Sequence, residues 1–288
     1  MISKGIILAG GLGTRVGPVT KAISKQLIPL FDKPIIFYSL SILMLMNIRK
    51  ILLITKSEDI DSFKKILNDG SDFGIEIEYE IQKKPNGLPE AFILGETFIK
   101  KDNVALILGD NFFHGQSLTE ILISQVKKFK SGAQIFTYNV KNPENYGVVE
   151  YKKKNNFYLI EKPQKPKSNN AITGLYFFDK NVSNYSKRLK KSKRGELEIV
   201  DLMNQYLKNN KLKIHPLGRG SSWLDTGNCD DILRASNYIN IIENRQNLKI
   251  GCIEEIAYKK KFISRSLLKK RIKFYGKCSY SDYLTKLV

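Results

Sequence analysis

A glycine-rich turn follows the first apolar segment and is the sharpest chemical feature of the chain. It reads Gly10-Gly11-Leu12-Gly13-Thr14-Arg15. Glycines let backbone amides approach a ligand closely as an anion-binding nest, and the fork of an arginine side chain matches phosphate. The GxxxxGK[ST] pattern of a P-loop is absent. The turn also fails the dinucleotide-binding fingerprint GxGxxG, because its sixth position is Val16 instead of glycine. The turn predicts a phosphate cradle, with an ordinary strand-to-helix turn as the alternative.

Lys25 and two aspartates are the next candidates. Lys25 could fold back over the same phosphates, or remain a solvated surface amine. Asp110 directly follows an apolar run, and Asp225 stands between the only tryptophan, Trp223, and the turn residue Gly227. Carboxylates suit Mg²⁺, which usually binds together with substrate phosphates, so the two aspartates could share one ion. Asp110 could instead cap a turn.

A second charged group ends a predicted strand at Glu161-Lys162-Pro163. Neighbouring side chains of a regular strand point to opposite faces, so both charges could face one ligand only where the strand breaks, and Pro163 supplies a break. The carboxylate would accept sugar hydroxyls and the ammonium would meet a phosphate; an exposed charge pair is the alternative. Arg194 precedes a predicted helix and either binds phosphate or continues the preceding basic run.

Nucleophilic catalysis has no support in the sequence. His114 and His215 are the only histidines, and neither has a partner at metal or triad spacing. The candidate residues are suited to positioning and charge neutralisation, which is what phosphoryl and nucleotidyl transfer chiefly require.

These residues need a scaffold, and the first 140 residues predict one by alternating strand and helix patterns. The predicted strands are Gly5–Ala9, Lys50–Thr55, Glu76–Ile81, Val104–Leu108 and Gln134–Asn139, and the predicted helices are Pro34–Met46, Ile60–Leu67, Leu88–Phe98 and Leu118–Phe129. This order predicts an α/β fold: a Rossmann-like, doubly wound, mostly parallel sheet with helices on both faces. Ligands of such sheets bind beyond the carboxyl ends of the strands, here after Ala9, Ile81 and Leu108.

The predicted secondary-structure pattern changes after Tyr146. Shorter strands are predicted at Val148–Tyr151, Phe157–Glu161 and Ile172–Phe178, separated by Lys/Asn or Pro/Lys turns, and helices at Ile199–Leu207, Asp230–Glu243 and Leu267–Phe274. No hexapeptide β-helix repeat and no linker is visible. We expect one domain over 1–288: a nucleotide-binding core at 1–140, a β-rich sugar-phosphate-binding insertion at 141–228 and a helical part at 229–288 that carries the oligomer or regulatory site.

Composition limits the class of protein. The chain of 288 residues has 48 Lys+Arg against 28 Asp+Glu, a net charge of +20, with 42% hydrophobic residues, which excludes a disordered basic tail. The longest apolar stretch, Ile35 to Met46, is shorter than the roughly 20 residues that span a bilayer. Three widely spaced cysteines without CxxC predict neither disulfides nor a zinc ribbon, so we expect a cytoplasmic protein.

Eight segments together resemble the sugar-nucleotide pyrophosphorylases, and within them the short glucose-1-phosphate thymidylyltransferases. In order, they are KGIILAGGLGTR (Lys4 to Arg15), TKAISKQLIP (Thr20 to Pro29), LGDN (Leu108 to Asn111), YGVVE (Tyr146 to Glu150), EKP (Glu161 to Pro163), KSNNAITGLYF (Lys167 to Phe177), RGELEI (Arg194 to Ile199) and WLDTG (Trp223 to Gly227). The resemblance implies Mg²⁺-dependent transfer from dTTP to α-D-glucose 1-phosphate, giving dTDP-glucose and pyrophosphate, the first step of dTDP-L-rhamnose and related deoxysugar synthesis. It also implies a homotetramer.

The resemblance assigns roles by motif. Catalytic residues would be Arg15, Lys25, Asp110, Lys162, Arg194 and Asp225. The nucleotide would be held by Leu8, Gly10, Gly11, Gly13, Thr14, Arg15, Lys25 and Asp110, with Gln26, Gln82 and Gly87 on the thymine. The sugar phosphate would be held by Tyr146, Gly147, Glu161, Lys162, Ile172 and Arg194, and Mg²⁺ by Asp110 and Asp225. A second, regulatory nucleotide site between subunits would include Gly115, Arg219, Cys252, Glu255 and Ile256.

Two segments depart from the family pattern. Family members usually read Asp-Gly-Leu-Ala-Gln-Ala where this chain has Asn86-Gly87-Leu88-Pro89-Glu90-Ala91. The regulatory region has Gln116 where the family tends to have histidine.

The sequence also allows three alternatives to thymidylyl transfer to be compared with it. A uridylyltransferase could use the same cradle, since uracil and thymine differ by one methyl group, which a pocket distinguishes by about 1–3 kcal/mol. The +20 charge suggests the hypothesis of a nucleic-acid-binding protein. However, the basic residues are spread over the chain and no recognition motif is visible, so we expect no nucleic-acid or membrane partner. A non-catalytic homologue would be expected to have lost Asp110, Lys162 or Asp225, and all three are present.

Overall fold

Strands and helices alternate along most of the chain, which we describe from a computed structural model for residues 1–152 and 156–288. The Lys/Asn turn predicted after Tyr151 includes 153–155, which lie outside the described residues. The strands are β1 (Ile2–Leu8), β2 (Pro29–Leu30), β3 (Lys33–Pro34), β4 (Lys50–Thr55), β5 (Glu76–Ile81), β6 (Asn103–Leu108), β7 (Asn111–Gly115), β8 (Ala133–Asn139), β9 (Gly147–Tyr151), β10 (Phe157–Glu161), β11 (Asn170–Phe178), β12 (Leu212–Pro216) and β13 (Ser221–Asp225).

Helices lie between these strands and make up most of the C-terminal part. They are α1 (Ile35–Leu45), α2 (Ile60–Leu67), α3 (Glu90–Leu94), α4 (Glu96–Ile99), α5 (Leu118–Lys128), α6 (Val182–Lys187), α7 (Ile199–Lys208), α8 (Cys229–Gln246), α9 (Ile253–Lys259), α10 (Arg265–Tyr275) and α11 (Ser279–Thr285). Within the described residues, no helix is both long and apolar enough to cross a membrane.

The central sheet has nine strands and confirms the predicted mostly parallel α/β architecture. Its main path runs β10-β9-β11-β6-β1-β4-β5, and β8 pairs with both β11 and β12. The pairs β1–β4, β1–β6, β4–β5 and β8–β12 are parallel, whereas β11 runs antiparallel to β6, β8 and β9. The carboxyl ends of β1 and β6 therefore meet at one edge, as the predicted site requires.

Both faces of the sheet are covered because strand residues alternate between them. Ile7 of β1 and Ile107 of β6 join the core under α1, α2, α5 and the C-terminal helices. Ile6 and Leu106 face the other way and join the core under α3, α4, α6 and α7. The buried apolar residues of β1 thus anchor the strand on both sides and hold the turn after it in place.

A two-stranded sheet lies beside the main one and carries one of the candidate aspartates. In it, β7 runs antiparallel to β13, with Asn111 opposite Asp225. The sequence prediction missed both of these strands. Each is only five residues long, and only two residues separate β6 from β7, so the pattern of β7 merges with that of β6.

Other boundaries also differ from the predictions. The helix predicted over Leu88–Phe98 is two short helices, α3 and α4, separated at Gly95. A Cβ at Gly95 would lie 2.9 Å from the carbonyl oxygen of Ala91, so the glycine permits a close approach. Six further elements were missed: β2, β3, β12, α6, α9 and α11.

Candidate functional site

The glycine-rich turn leaves β1 as a loop and enters a single 3-10 turn at Thr14–Val16. Gly13 has φ +60°, the left-handed region that favours glycine, and a Cβ there would lie 2.8 Å from Thr20 Cγ2. The Thr20 hydroxyl donates to the Gly13 carbonyl oxygen at 2.9 Å and ties the turn to the following segment. A cavity of about 330 Å³ opens beside it, lined among others by Gly11, Gly13, Thr14 and Arg15.

Lys25 is buried and does not extend into solvent. Its ammonium lies 2.5 Å from Asp110 Oδ2, although the two residues are 85 positions apart. Asp110 also accepts a bond from the Asn111 amide at 3.0 Å. Burial would raise the pKa of Asp110, but the Lys25 charge and these hydrogen bonds outweigh burial and hold the pKa below its ordinary value. The side chain is thereby kept as a carboxylate at the end of β6.

Asp225 reaches the same place from β13. Thr226 binds the Asp110 backbone carbonyl oxygen through both its amide (3.2 Å) and its hydroxyl (2.8 Å), which joins the two segments. Burial and then the negative charge of Asp110 raise the pKa of Asp225 to about 7. Gly227 brings Arg15 close, because a Cβ there would lie 3.0 Å from Arg15 Nη2 and 3.1 Å from Asp225 Oδ2.

The two carboxylates fit a divalent cation held with substrate. Two partly buried carboxylates close together repel each other, and a cation between them would relieve that repulsion. Among residues 1–152 and 156–288, no group of three His, Cys, Asp or Glu side chains could hold a metal. Mg²⁺ is typically bound by one or two carboxylates, waters and phosphate oxygens, so this donor set suits it only together with a phosphate.

A second cavity, of about 400 Å³, adjoins the aspartates on the side of β9, β10 and β11. The whole predicted sugar-phosphate set lines it: Tyr146, Gly147, Glu161, Lys162, Ile172 and Arg194. β10 ends at Glu161, and Lys162 has φ +44°, so the predicted break is present and both side chains face one cavity.

Arg194 is held at the mouth of this cavity by carboxylates. It donates to Glu198 through Nε (3.1 Å) and Nη2 (2.5 Å), and Nη2 also lies 3.2 Å from Glu161 Oε1. Burial and then the charge of Glu198 raise the pKa of Glu161. Arginine and carboxylates of this kind can together recognise a phosphate and hydroxyl groups.

A third cavity, of about 200 Å³, lies on the other side of the turn. It is lined by Leu8, Gly11, Gln26, Gln82, Pro85, Gly87, Leu88, Leu108, Asp110 and Glu196. Gln26 and Gln82 are buried, and the Ser24 hydroxyl donates to Gln26 Oε1 at 2.9 Å. Gly10 does not line this cavity; it lies beneath Gln82, whose Oε1 would collide with a Cβ on Gly10.

Asp110 lines all three cavities, and Arg15 lines two of them. The three therefore form one groove that has the aspartates at its centre, the glycine-rich turn beside them and a separate chamber at each end. A ligand with a phosphate chain in its middle would fit this arrangement of charge and space.

The residues of the expected regulatory site are mostly together, away from this groove. Gly115, Cys252, Glu255 and Ile256 line a cavity of about 380 Å³, whereas Arg219 is exposed and does not line it. Cys252 is buried, and burial raises the pKa of its thiol far above the ordinary value. Glu255 already accepts a bond from the Tyr283 hydroxyl at 2.7 Å.

Sequence reasoning missed several residues that shape the groove. Asn111 orients Asp110, and its Oδ1 accepts from Trp223 Nε1 (2.6 Å) and the Gly174 amide (3.1 Å). Its position directly after Asp110 at a strand end was an available signal. Glu198 holds Arg194, four positions before it. Asp231 also lines the sugar-side cavity, and no sequence pattern singled it out.

Comparisons with known proteins show which family the chain belongs to. The profile of the family described as "Nucleotidyl transferase" matches residues 4–241. The chain is 51% identical over 288 residues to the glucose-1-phosphate thymidylyltransferase of Neisseria meningitidis serogroup A, covering 99% of each chain. It is 44% identical over 288 residues to that of Mycobacterium tuberculosis, again covering 99% of each.

Solved structures show the same fold. One is a Bacillus anthracis protein assigned as a glucose-1-phosphate thymidylyltransferase and solved in complex with a sucrose, with a TM-score of 0.75, 36% identity and coverage of 82% of this chain and 94% of that one. A UDP-glucose pyrophosphorylase complexed with UDP-glucose has a TM-score of 0.73 at 23% identity, covering 84% and 99%, and supports the fold alone.

Proposed function

The chain belongs to the nucleotidyl transferase family, and we propose that it transfers a thymidylyl group from dTTP to α-D-glucose 1-phosphate, giving dTDP-glucose and pyrophosphate. This reaction opens the synthesis of dTDP-L-rhamnose and related deoxysugars. The observation that carries the proposal is the groove itself: Asp110 lies where a base-sized chamber, a glycine-rich turn and a second polar chamber meet.

The nucleotide occupies the β1 end of the groove in this proposal. The triphosphate lies along Gly11, Gly13 and Thr14, with Arg15 neutralising its charge. The base enters the chamber that contains Gln26, Gln82 and Gly87. Lys25 leaves or shares its bond to Asp110 to meet the phosphates, which is possible because its ammonium has three donors.

Glucose 1-phosphate occupies the other chamber. Lys162 and Arg194 bind its phosphate, and Gly147, Glu161 and the backbone near Ile172 meet its hydroxyl groups. A phosphate oxygen of the sugar then attacks the α-phosphorus of dTTP directly, pyrophosphate leaves, and no covalent enzyme intermediate forms. The protein contributes alignment of the two phosphates and cancellation of their mutual repulsion.

Asp110 and Asp225 would hold the Mg²⁺ that the family generally uses. When bound, the ion neutralises charge on the phosphate oxygens. The two carboxylates would be its protein ligands, and Asp110 is held for this role through its side chain by Asn111 and through its backbone carbonyl by Thr226.

Three further assignments remain proposals. The cavity with Gly115, Cys252, Glu255 and Ile256 is the candidate regulatory nucleotide site, and Arg219 would need to come from elsewhere, such as a neighbouring subunit. A homotetramer is expected from the resemblance. A cytoplasmic location accords with three free cysteines.

The test compares dTTP and UTP with glucose 1-phosphate by the rate of pyrophosphate release. We expect dTTP to react faster, by roughly 10- to 200-fold if a methyl-sized pocket fits the thymine. Reactions without sugar phosphate serve as the control. Equal rates, or faster reaction with UTP, would reject the thymidylyl assignment and favour uridylyl transfer.

A further inference from the structure

Glu90 lies just behind the base-sized chamber without lining it. From the first turn of α3, it accepts three hydrogen bonds: from Gln82 Nε2 at 2.6 Å, Asn86 Nδ2 at 2.6 Å and the Asn86 backbone amide at 3.2 Å. Of these partners, the Gln82 side chain lines the chamber. Glu90 is therefore in a position to act on a ligand through Gln82.

The chemistry of Glu90 decides which way the Gln82 amide points. An ionised carboxylate only accepts hydrogen bonds, so the nitrogen of the Gln82 amide must face it and the oxygen must face away. That oxygen lies over Gly10, in the space that a Cβ would otherwise fill. Any side chain at Gly10 would displace the amide, so the glycine leaves space for this orientation.

Lys191 fixes the orientation of the Asn86 amide at the other end of this series of hydrogen bonds. Lys191, which can only donate, lies 3.0 Å from Asn86 Oδ1. Asn86 must then turn its nitrogen to Glu90, as observed. A donor-only group and an acceptor-only group thus define the direction of every bond from Lys191 through Asn86 and Glu90 to Gln82.

We propose that Glu90 is a positioning residue that sets base specificity: by binding the nitrogen of the Gln82 amide, it leaves the acceptor oxygen, which lies over Gly10 next to the chamber residue Gly11, as the Gln82 group available to a base. The inference rests on the proposed nucleotidyl transfer and concerns the same site. Thymine and uracil carry an N–H donor at ring position 3, where cytosine carries a lone pair. The oriented Gln82 oxygen therefore favours dTTP and UTP and excludes dCTP.

The central experiment replaces Glu90 with its isosteric amide, Glu90→Gln. The new side chain can both donate and accept, so Gln82 can turn its nitrogen to the chamber. We expect kcat/KM for dTTP to fall about tenfold, the loss of roughly one hydrogen bond, and the preference for dTTP over dCTP to shrink at least tenfold. KM for glucose 1-phosphate should change less than twofold, because that chamber is separate.

A double variant, Asn86→Asp with Glu90→Gln, tests the direction of the bonds. The amide introduced at position 90 can donate to the carboxylate introduced at position 86, while its oxygen accepts from Gln82, which restores the original orientation. We expect the double variant to recover the dTTP preference to within about threefold of the unmodified protein. If Glu90 had only a structural role, this exchange of amide and carboxylate would not restore the preference for dTTP over dCTP.

Glu96→Gln is the matched control, since Glu96 is an exposed carboxylate at the start of α4 that pairs with Lys187 at 2.6 Å. It should leave the dTTP-to-dCTP ratio unchanged. Calorimetric binding of dTTP and dCTP without sugar gives the same comparison independently of turnover, and thermal unfolding checks the fold. If Glu90→Gln does not fold, a folded double variant whose dTTP-to-dCTP ratio lies more than about threefold below that of the unmodified protein still refutes the role of Glu90.

The outcomes separate the two proposals. An unmodified protein that releases no pyrophosphate from dTTP and glucose 1-phosphate refutes the proposed function. A protein that does so, but whose dTTP-to-dCTP ratio is unaffected by Glu90→Gln or is not restored in the double variant, refutes the role of Glu90 and leaves the function standing.

Discussion

At the scale of single residues, the centre of the groove is a set of charges that balance one another only in part. Lys25 compensates Asp110, whereas burial and the charge of Asp110 raise the pKa of Asp225 to about 7. Arg15 lies near Asp225 across Gly227. Phosphates and a divalent cation would complete this arrangement, because the cation would compensate the aspartates and the phosphates would occupy Lys25 and Arg15.

Asp110→Asn should lower the rate of pyrophosphate release from dTTP and glucose 1-phosphate at least about 100-fold. The substitution keeps the size of the side chain but removes the charge that pairs with Lys25 and would hold Mg²⁺. Titration of the residual rate with Mg²⁺ should show a weakened dependence.

Asp102→Asn is the matched control for this change. Asp102 immediately precedes β6, the strand that Asp110 follows, and pairs on the surface with Lys4 at 2.8 Å. It should retain nearly full turnover. Near-normal turnover of Asp110→Asn, with an unchanged thermal unfolding midpoint, would remove Asp110 from the site.

Arg194 shows how one charge can be prepared for a ligand. Its guanidinium is bound by Glu198 and approached by Glu161. The Glu198 hydrogen bond, partly opposed by burial, raises the pKa of Arg194. These contacts hold the side chain at the mouth of the sugar-side chamber, so little conformational freedom is left to lose when a phosphate binds.

At the scale of elements, the base-sized chamber depends on the packing of α3 against the sheet. Phe92 of α3 is fully buried and meets the Phe178 ring of β11 edge to face, with centroids 5.0 Å apart. The loop before α3 is clamped by the Leu197 amide, which donates to the Asn86 carbonyl oxygen at 2.7 Å. The position of Gln82 and Glu90 therefore follows from a core contact as well as from local turns.

Phe92→Ala should reduce the free energy of unfolding by about 3–5 kcal/mol, because it leaves a cavity in a packed core and removes the aromatic pair. Equilibrium unfolding in urea measures the loss. Phe274→Ala is the comparison, since Phe274 is 60% exposed, and it should cost less than about 1 kcal/mol. Equal losses in the two variants would contradict the assigned packing of α3.

The missed strands show which strands local sequence patterns cannot predict. Strands β1, β4, β6 and β8 of the main sheet carry apolar residues on both faces, and the sequence predicted their bounds to within three residues, whereas β12 of the same sheet was missed. Among the described residues, β7 and β13 pair only with each other, and each is five residues long. Their stability comes from a partner more than 100 positions away, which no local pattern records.

At the scale of the whole molecule, only a few of the cations behind the +20 charge line the candidate site, and most of them lie elsewhere. Arg15, Lys25, Lys162 and Arg194 line chambers suited to anionic substrates and would help to attract them. Several other basic residues are already paired: Lys187 with Glu96, Lys259 with Glu255, and Arg271 with Asp72 and Glu254. Such pairs weaken a general affinity for polyanions.

We expect binding to random duplex DNA at physiological salt to be no tighter than about 10⁻⁶ M, the range of non-specific contacts. Fluorescence anisotropy across a salt series measures it. Four lysines, Lys128, Lys130, Lys211 and Lys213, line one cavity, so Lys211→Glu with Lys213→Glu tests whether weak binding depends on that surface. Tight, steeply salt-dependent binding would revive a nucleic-acid role.

The sequence by itself determined the alternating scaffold, the glycine-rich turn, and the placement of Asp110 at a strand end, because each depends on local spacing and on backbone conformation. The tertiary structure decided which distant groups meet. Pairing of β7 with β13 brings Asp225 beside Asp110, and burial turns Lys25 inward to the same carboxylate. The bond from Lys191 to Asn86 likewise joins the segment of Gln82 and Glu90 to a segment more than 100 positions away. Long-range register and burial, which local patterns do not encode, set these contacts.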